Sequence, residues 1–179
     1  MATTFPGTTI ETRTLEKGSS KLLFDGIFAT GGITLSQVSI MTGLEPYMIQ
    51  NWIKRGFVAP PVKRVYGKEQ FARIIIINML REALQIERIC TLIQVMGSGD
   101  DRIRDDELYH RYVDMLAENE INMMDETSVS EVAQSVALAS EVRDPGVQKQ
   151  LARILQVMLY AHAASRLRNS AESILATLQ

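Results

Sequence analysis

Between Thr34 and Gly56 the chain reads TLSQVSIMTGLEPYMIQNWIKRG, and this stretch restricts the fold more than any other. Val38, Leu44, Ile49 and Trp52 are spaced so that two short amphipathic helices share one small core. Ser39 is small enough for the second helix to cross closely over the first. Gly43 supplies the positive φ that a sharp turn requires, without steric cost. Pro46 suits the first turn of the second helix, where its missing N–H is not needed. Gly56 marks the end of that helix, and Lys54 and Arg55 just before it sit at the negative pole of the helix dipole. The spacing predicts helices over about Leu35–Met41 and Pro46–Arg55. Two helices about such a turn make a helix-turn-helix, whose second helix is shaped to lie in a DNA major groove.

On the second helix Tyr47, Gln50, Asn51 and Lys54 fall at i, i+3, i+4 and i+7, on a polar face opposite Met48, Ile49 and Trp52. Asn and Gln side chains bond an adenine edge through two hydrogen bonds, and Lys54 has the reach for a guanine or a phosphate. Tyr47, at the helix start, is placed for a phosphate oxygen or for stacking. Every surface helix has a polar face, so it is the surrounding turn pattern that marks these four as contacts. From Pro46 to Lys68 there are five basic residues (Lys54, Arg55, Lys63, Arg64 and Lys68) and no acidic one. That segment suits backbone phosphates, whose neutralisation releases counterions.

The charge is unevenly placed. Ile33–Ile93 carries eight Lys or Arg against four Asp or Glu, whereas Gln94–Gln179 carries eight against fourteen. The net charge of −2 therefore hides a basic head and an acidic tail, and polyanion binding follows the local field. Cys90 is the only cysteine, which excludes an internal disulfide and fits a reducing compartment. Met1–Ser20 is polar and lacks the apolar core of a secretory signal, and Ile74–Ile77 is far too short to span a bilayer. The expectation is a cytoplasmic protein without a membrane partner.

The remaining elements follow from periodicity. Phe57–Tyr66 is extended, barred from helix by Pro60-Pro61 and favouring a short hairpin or wing. A helix from about Lys68 to Leu84 is apolar all round at Ile74–Ile77, so it is expected to be buried on most sides. A further helix continues over Ile86–Met96, with Ile86, Ile89, Cys90 and Ile93 on one stripe. Gly97-Ser98-Gly99-Asp100-Asp101 is the clearest boundary. Beyond it come helices from Asp105 to about Met124, from Ser128 to Val142 with Ser128 or Ser130 as cap, and from Val147 to about Leu178. The apolar stripe Val147–Leu159 leaves open whether this tail pairs with a second copy or closes an internal core.

Chemistry-bearing constellations are sparse. Trp52 and Cys90 lie on apolar faces and read as core. His110 and His162 are far apart with no second ligand at metal spacing, so neither a metal nor a cofactor is expected. No phosphate-binding glycine loop, nucleophile elbow or Cys/His pair is present, and an enzyme is not expected.

Leu35-Ser36-Gln37-Val38-Ser39, Thr42-Gly43-Leu44, Gly56-Phe57-Val58-Ala59-Pro60-Pro61, Arg64-Val65-Tyr66 and Leu80–Ile89 together resemble the winged-helix head of MerR-type regulators. Within that superfamily, Gln50–Val58 and Asn78-Met79-Leu80-Arg81 look like an uncharacterised bacterial family of about this length, a domain of unknown function. The resemblance implies a homodimeric transcription regulator. It places DNA contacts at Tyr47, Gln50 and Asn51 on the helix and at Arg64 and Tyr66 in the wing. Three departures stand out. Tyr47 and Gln50 replace the arginines usual near the start of the recognition helix, the wing is short, and no metal-sensing cysteine follows the helical region.

The sequence thus predicts a mainly all-α protein, with a winged helix-turn-helix head and a short β-wing followed by a helical bundle. Residues 1–32 are expected as a flexible arm with a short apolar patch (Lys21–Phe28), 33–96 as the DNA-binding domain, and 103–179 as a helical dimerisation or regulatory domain. The expected contacts with double-stranded DNA are Tyr47, Gln50, Asn51, Lys54, Lys63, Arg64, Tyr66 and Lys68. The rival expectation is a protein-interaction module that has kept the head and lost DNA.

Overall fold

The computed structural model describes residues 3–94 and 102–178. The expected Gly97–Asp101 boundary and the end of its preceding helix at Met96 lie outside the described residues. The architecture is mainly helical. A two-residue hairpin pair, β1 (Thr3–Thr4) and β2 (Glu11–Thr12), precedes α1 (Ser19–Ile27), α2 (Leu35–Thr42) and α3 (Pro46–Lys54). Then follow α4 (Lys68–Leu80), α5 (Ile86–Gln94), α6 (Asp105–Glu118), α7 (Glu126–Leu138) and α8 (Pro145–Ala176). No helix among the described residues is long and apolar enough to cross a membrane.

α4 is the central rod. Phe71, Ala72 and Ile74–Ile77 are fully buried, as the all-round apolar pattern requires. α2, α5, α6 and α8 each pack against it. The halves expected as head and tail contribute to one continuous apolar cluster, from Val38 and Trp52 through Ile75 to Leu108, Tyr112 and Leu155. Each fully buried Ile contributes about 2 kcal/mol by removing its side chain from water. In α8, Leu151, Ile154, Leu155, Met158 and Leu159 are buried within the chain, against α7 and α4. The open alternative for the Val147–Leu159 stripe therefore closes in favour of an internal core.

The N-terminal segment corrects the sequence reading. Composition suggested a flexible arm, yet residues 3–18 are docked. Phe5 and Pro6 are buried, and Pro6 O accepts the Tyr109 hydroxyl at 2.8 Å. Thr9 bonds the carbonyls of Met41 through its N–H and of Ile40 through its hydroxyl, both at 2.8 Å. These bonds satisfy carbonyls near the C-terminal end of α2. Gly18 N–H donates to Asp114 at 2.8 Å, and Lys17 pairs with Glu118 at the surface. Thr9 thus bonds another element, while Thr8, Thr12 and Thr14 hold the segment's own turns.

Several boundaries also moved. α4 ends at Leu80, because the chain turns there and so brings the Ile89, Cys90 and Ile93 stripe of α5 back onto the core. α6 ends at Glu118, where Asn119 turns extended and donates its Nδ2 to Met115 O. The cap of α7 is Asp125, not Ser128 or Ser130, and that of α8 is Asp144.

α6 and α8 are joined by a buried polar contact, Tyr112 Oη to His162 Nδ1 at 2.7 Å. Burial pushes the His162 imidazole down to about 4 and also lowers His110. A histidine whose folded value lies below its unfolded one stabilises the fold above about pH 6.5, and that stability is lost as pH falls toward 4. Between pH 7 and 5 the His162 contribution should fall by about 2 kcal/mol. Melting curves across that range test it: His162→Gln, which keeps an acceptor for Tyr112, should melt with a shallower pH dependence than the parent.

Candidate nucleic-acid interface

The exposed face of α3 is set by how its ends are made. Thr34 caps α2, exchanging bonds with Gln37 in a capping box. At the other end of α2, Gly43 has φ 69°, the left-handed conformation the turn needs. Ser39 Oγ donates to Leu44 O at 2.6 Å across that turn, so its small side chain fastens the crossing as well as permitting it. Asn78 Nδ2 donates to Thr42 O and to Gly7 O, both at 3.0 Å, tying the turn to α4 and to the N-terminal loop. α3 closes with Gly56 at φ 78°, where Gly56 N–H bonds Ile53 O and Phe57 N–H bonds Trp52 O. These are the two bonds of a Schellman cap.

With Ile49 and Trp52 buried, the opposite face of α3 is open. Tyr47 is 68% exposed, and Gln50, Asn51 and Lys54 are exposed beside it. Beyond α3 the chain makes a minimal hairpin: Val62 and Val65 exchange both backbone bonds, and Ile33 and Tyr66 do the same. The two residues between Val62 and Val65 are Lys63 (φ 51°) and Arg64 (φ 67°), both left-handed. That is the type I′ hairpin turn, which favours Asn-Gly because two positive φ values strain other residues. The strain is held at the tip, where both cations are exposed. Gln50 of α3 and Arg64 of the tip line one groove, with Leu35, Ile53 and Pro61 as its apolar walls.

Two expected contacts are placed otherwise. Tyr66 is only 2% exposed: it forms part of the lining of that groove, and its backbone anchors the hairpin to Ile33, so its main part is to position the tip. Lys68 pairs with Asp25 of α1 at 2.6 Å. Arg55, counted in the basic segment, pairs with Glu87 and lies over the Phe57 ring at 4.5 Å. Lys54, Lys63 and Arg64 have no carboxylate partner among the described residues. Cys90 is core, and burial pushes its thiol up, away from reactivity. Sequence reasoning missed Asn78 as the residue that fixes the turn. Its signals were one amide following four isoleucines and its place in the Asn78–Arg81 stretch that carries the family resemblance.

A family model described as Domain of unknown function (DUF1836) matches residues 22–112, just over half of the chain. The chain belongs to this family. No curated protein and no solved structure matches it. The DUF1836 match begins in α1 and ends at Tyr112 within α6. It thus takes in the open face of α3, the Lys63–Arg64 tip and α4, and it crosses the 97–101 segment, so the family unit includes much of α6 as part of the same core. α7 and α8 lie outside the match, as does the docked N-terminal loop.

Proposed function

We propose that this chain is a DNA-binding transcriptional regulator with a winged helix-turn-helix head of MerR-like kind, acting as a homodimer. The observation that carries the reading is the strained Lys63–Arg64 tip beside the open polar face of α3. A hairpin turn selected for stability alone would place Asn-Gly there. Two cations kept in that conformation point to a contact that repays the strain, and phosphates flanking a major groove are the ligands that fit. In this reading Gln50 and Asn51 meet base edges, Tyr47 and Lys54 meet the backbone or a guanine, and Lys63 and Arg64 follow the neighbouring phosphates.

The dimer rests on the far end of α8. Val157, Tyr160, Ala164, Leu167, Ala171 and Ile174 recur at alternating steps of three and four, and all are exposed. That is the a/d seam of a coiled coil, lying away from the stripe that packs on α7. From Arg166 onward every described residue of α8 is exposed, so among the described residues nothing covers the seam on this helix end. A second copy supplies the same seam, which a two-fold interface requires. Leu167→Glu should halve the solution mass and weaken DNA binding together.

A salt titration on duplex DNA tests the function. Affinity should fall steeply with salt, and Lys54→Ala or Arg64→Ala should each flatten the log–log slope by about one unit. The second reading, an interaction module without DNA, draws support from the Arg55–Glu87 and Lys68–Asp25 pairs, which neutralise two of the five basic residues. If no duplex binds at low salt, that second reading replaces the first.

A further inference from the structure

A second cavity, of about 300 Å³, lies on the other side of the Thr42–Gly43 turn, between that turn, the end of α4 and the middle of α8. Its walls carry an unusual number of donors. Arg81 spends Nε on Asn78 Oδ1 at 3.0 Å, which fixes the plane of the guanidinium and leaves its terminal nitrogens without a partner among the described residues. Arg166 and Asn169 reach the cavity from α8, and their side chains likewise make no hydrogen bond among the described residues. His162 also lines it. The Tyr112 hydroxyl has no other acceptor among the described residues, and in the tautomer in which it donates to His162 Nδ1 the ring proton sits on Nε2 as a further donor. Burial keeps that ring neutral near pH 7. Glu82, the one carboxylate in the lining, lies close enough to Arg168 for the two charges to interact.

We propose that this cavity binds a small oxyanion, the carboxylate or phosphate group of a metabolite, between Arg81 and Arg166. Arginine's planar fork suits either group and makes charge-assisted bonds to it. The volume lies at the low end for small-molecule sites, which limits the ligand to metabolite size. The lining residues of α8 lie on a different face from the seam at Leu167 and Ile174, so pairing of two chains leaves the cavity open. Asn78 connects the site to the head, since it holds Arg81 through Oδ1 and the Thr42 carbonyl through Nδ2. A ligand that reorients Arg81 therefore acts on the turn that aims α3. That regulatory consequence rests on the proposed DNA reading, whereas the binding site itself does not.

Calorimetric titration of the full chain with inorganic phosphate and, separately, with citrate, at ionic strength matched by chloride, tests the site. One equivalent of at least one anion per chain should bind with a sub-millimolar Kd. Phosphate alone, citrate alone or both identifies the source of the oxyanion. Arg166→Gln should weaken binding about tenfold, the loss of a charge-assisted contact, with the anion-free melting temperature little changed because Arg166 is exposed and has no ion-pair partner among the described residues. The proposal is overturned if neither anion binds, or if Arg166→Gln and Arg81→Gln both bind as the parent does. Such a failure would leave the salt titration on DNA unaffected, so the two readings stand or fall separately.

Discussion

Replacing Arg73 with Met is expected to lower the stability of the whole protein by about 3–5 kcal/mol, a large share of what a domain of this size has to lose. Arg73 leaves α4 and bonds both carboxylate oxygens of Asp105, the first residue of α6. The Asp105 side chain is only 5% exposed. Burial raises its proton affinity, and the Arg73 guanidinium works against that rise. Deleting the arginine leaves a carboxylate buried with only the helix N-terminus and the more distant, exposed Arg102 to offset it, which is far costlier than never having had the pair. Without the cation the Asp105 carboxyl takes up a proton more readily. The folded value, already above the unfolded one with Arg73 in place, then lies further above it, so the added penalty is smallest below the unfolded value and grows as pH rises. Urea denaturation at pH 7.5 and pH 5 should show the Arg73→Met deficit shrinking at the lower pH. Adding Asp105→Asn should recover part of it at pH 7.5. A variant as stable as the parent at both pH values would mean that the α4–α6 junction is held by its apolar contacts alone.

Gly7→Ala is expected to cost about 3 kcal/mol, through a different cause. Gly7 has φ 74°, and an added Cβ would stand 2.3 Å from the Ile75 carbonyl oxygen, a backbone atom of the most buried helix. The left-handed strain of an alanine accounts for about 1 kcal/mol. The remainder comes from forcing the loop off α4, which also parts Gly7 O from Asn78 Nδ2. Gly18 is the control, with φ 75° but nothing within 4 Å of its Cβ position. Gly18→Ala should cost only the strain. Equal losses in the two variants, measured by urea denaturation, would show that the N-terminal loop is not seated as described. Because that loop holds Asn78 and caps α2, Gly7→Ala should also loosen the turn that positions α3.

The two losses bear on function through the same node. Asn78 joins the loop, the Thr42 carbonyl and Arg81, so the orientation of α3 depends on contacts spread over most of the chain. This agrees with the extent of the DUF1836 match, which runs on from the open face of α3 into α6.

Local rules were enough for much of this. Gly43, Pro46 and Gly56 each settle a backbone geometry within a few residues, since φ preferences and missing N–H groups act at short range. The apolar spacing of Ile49 and Trp52 likewise determines which side of α3 is left facing outward. The burial of Ile74–Ile77 follows from their lying on every side of one helix. The alternation along Val157–Ile174 was equally present in the sequence, but it is masked there by the overlapping internal stripe of the same helix. Tertiary structure decided the rest. Polar composition could not reveal that Thr9 and Gly7 dock onto α2 and α4, because their partners lie tens of residues away. That Tyr66 would pair with Ile33 and Lys68 with Asp25 was equally out of reach of the sequence. A side chain's availability depends on what long-range packing brings next to it, whereas a turn depends only on its own dihedral angles.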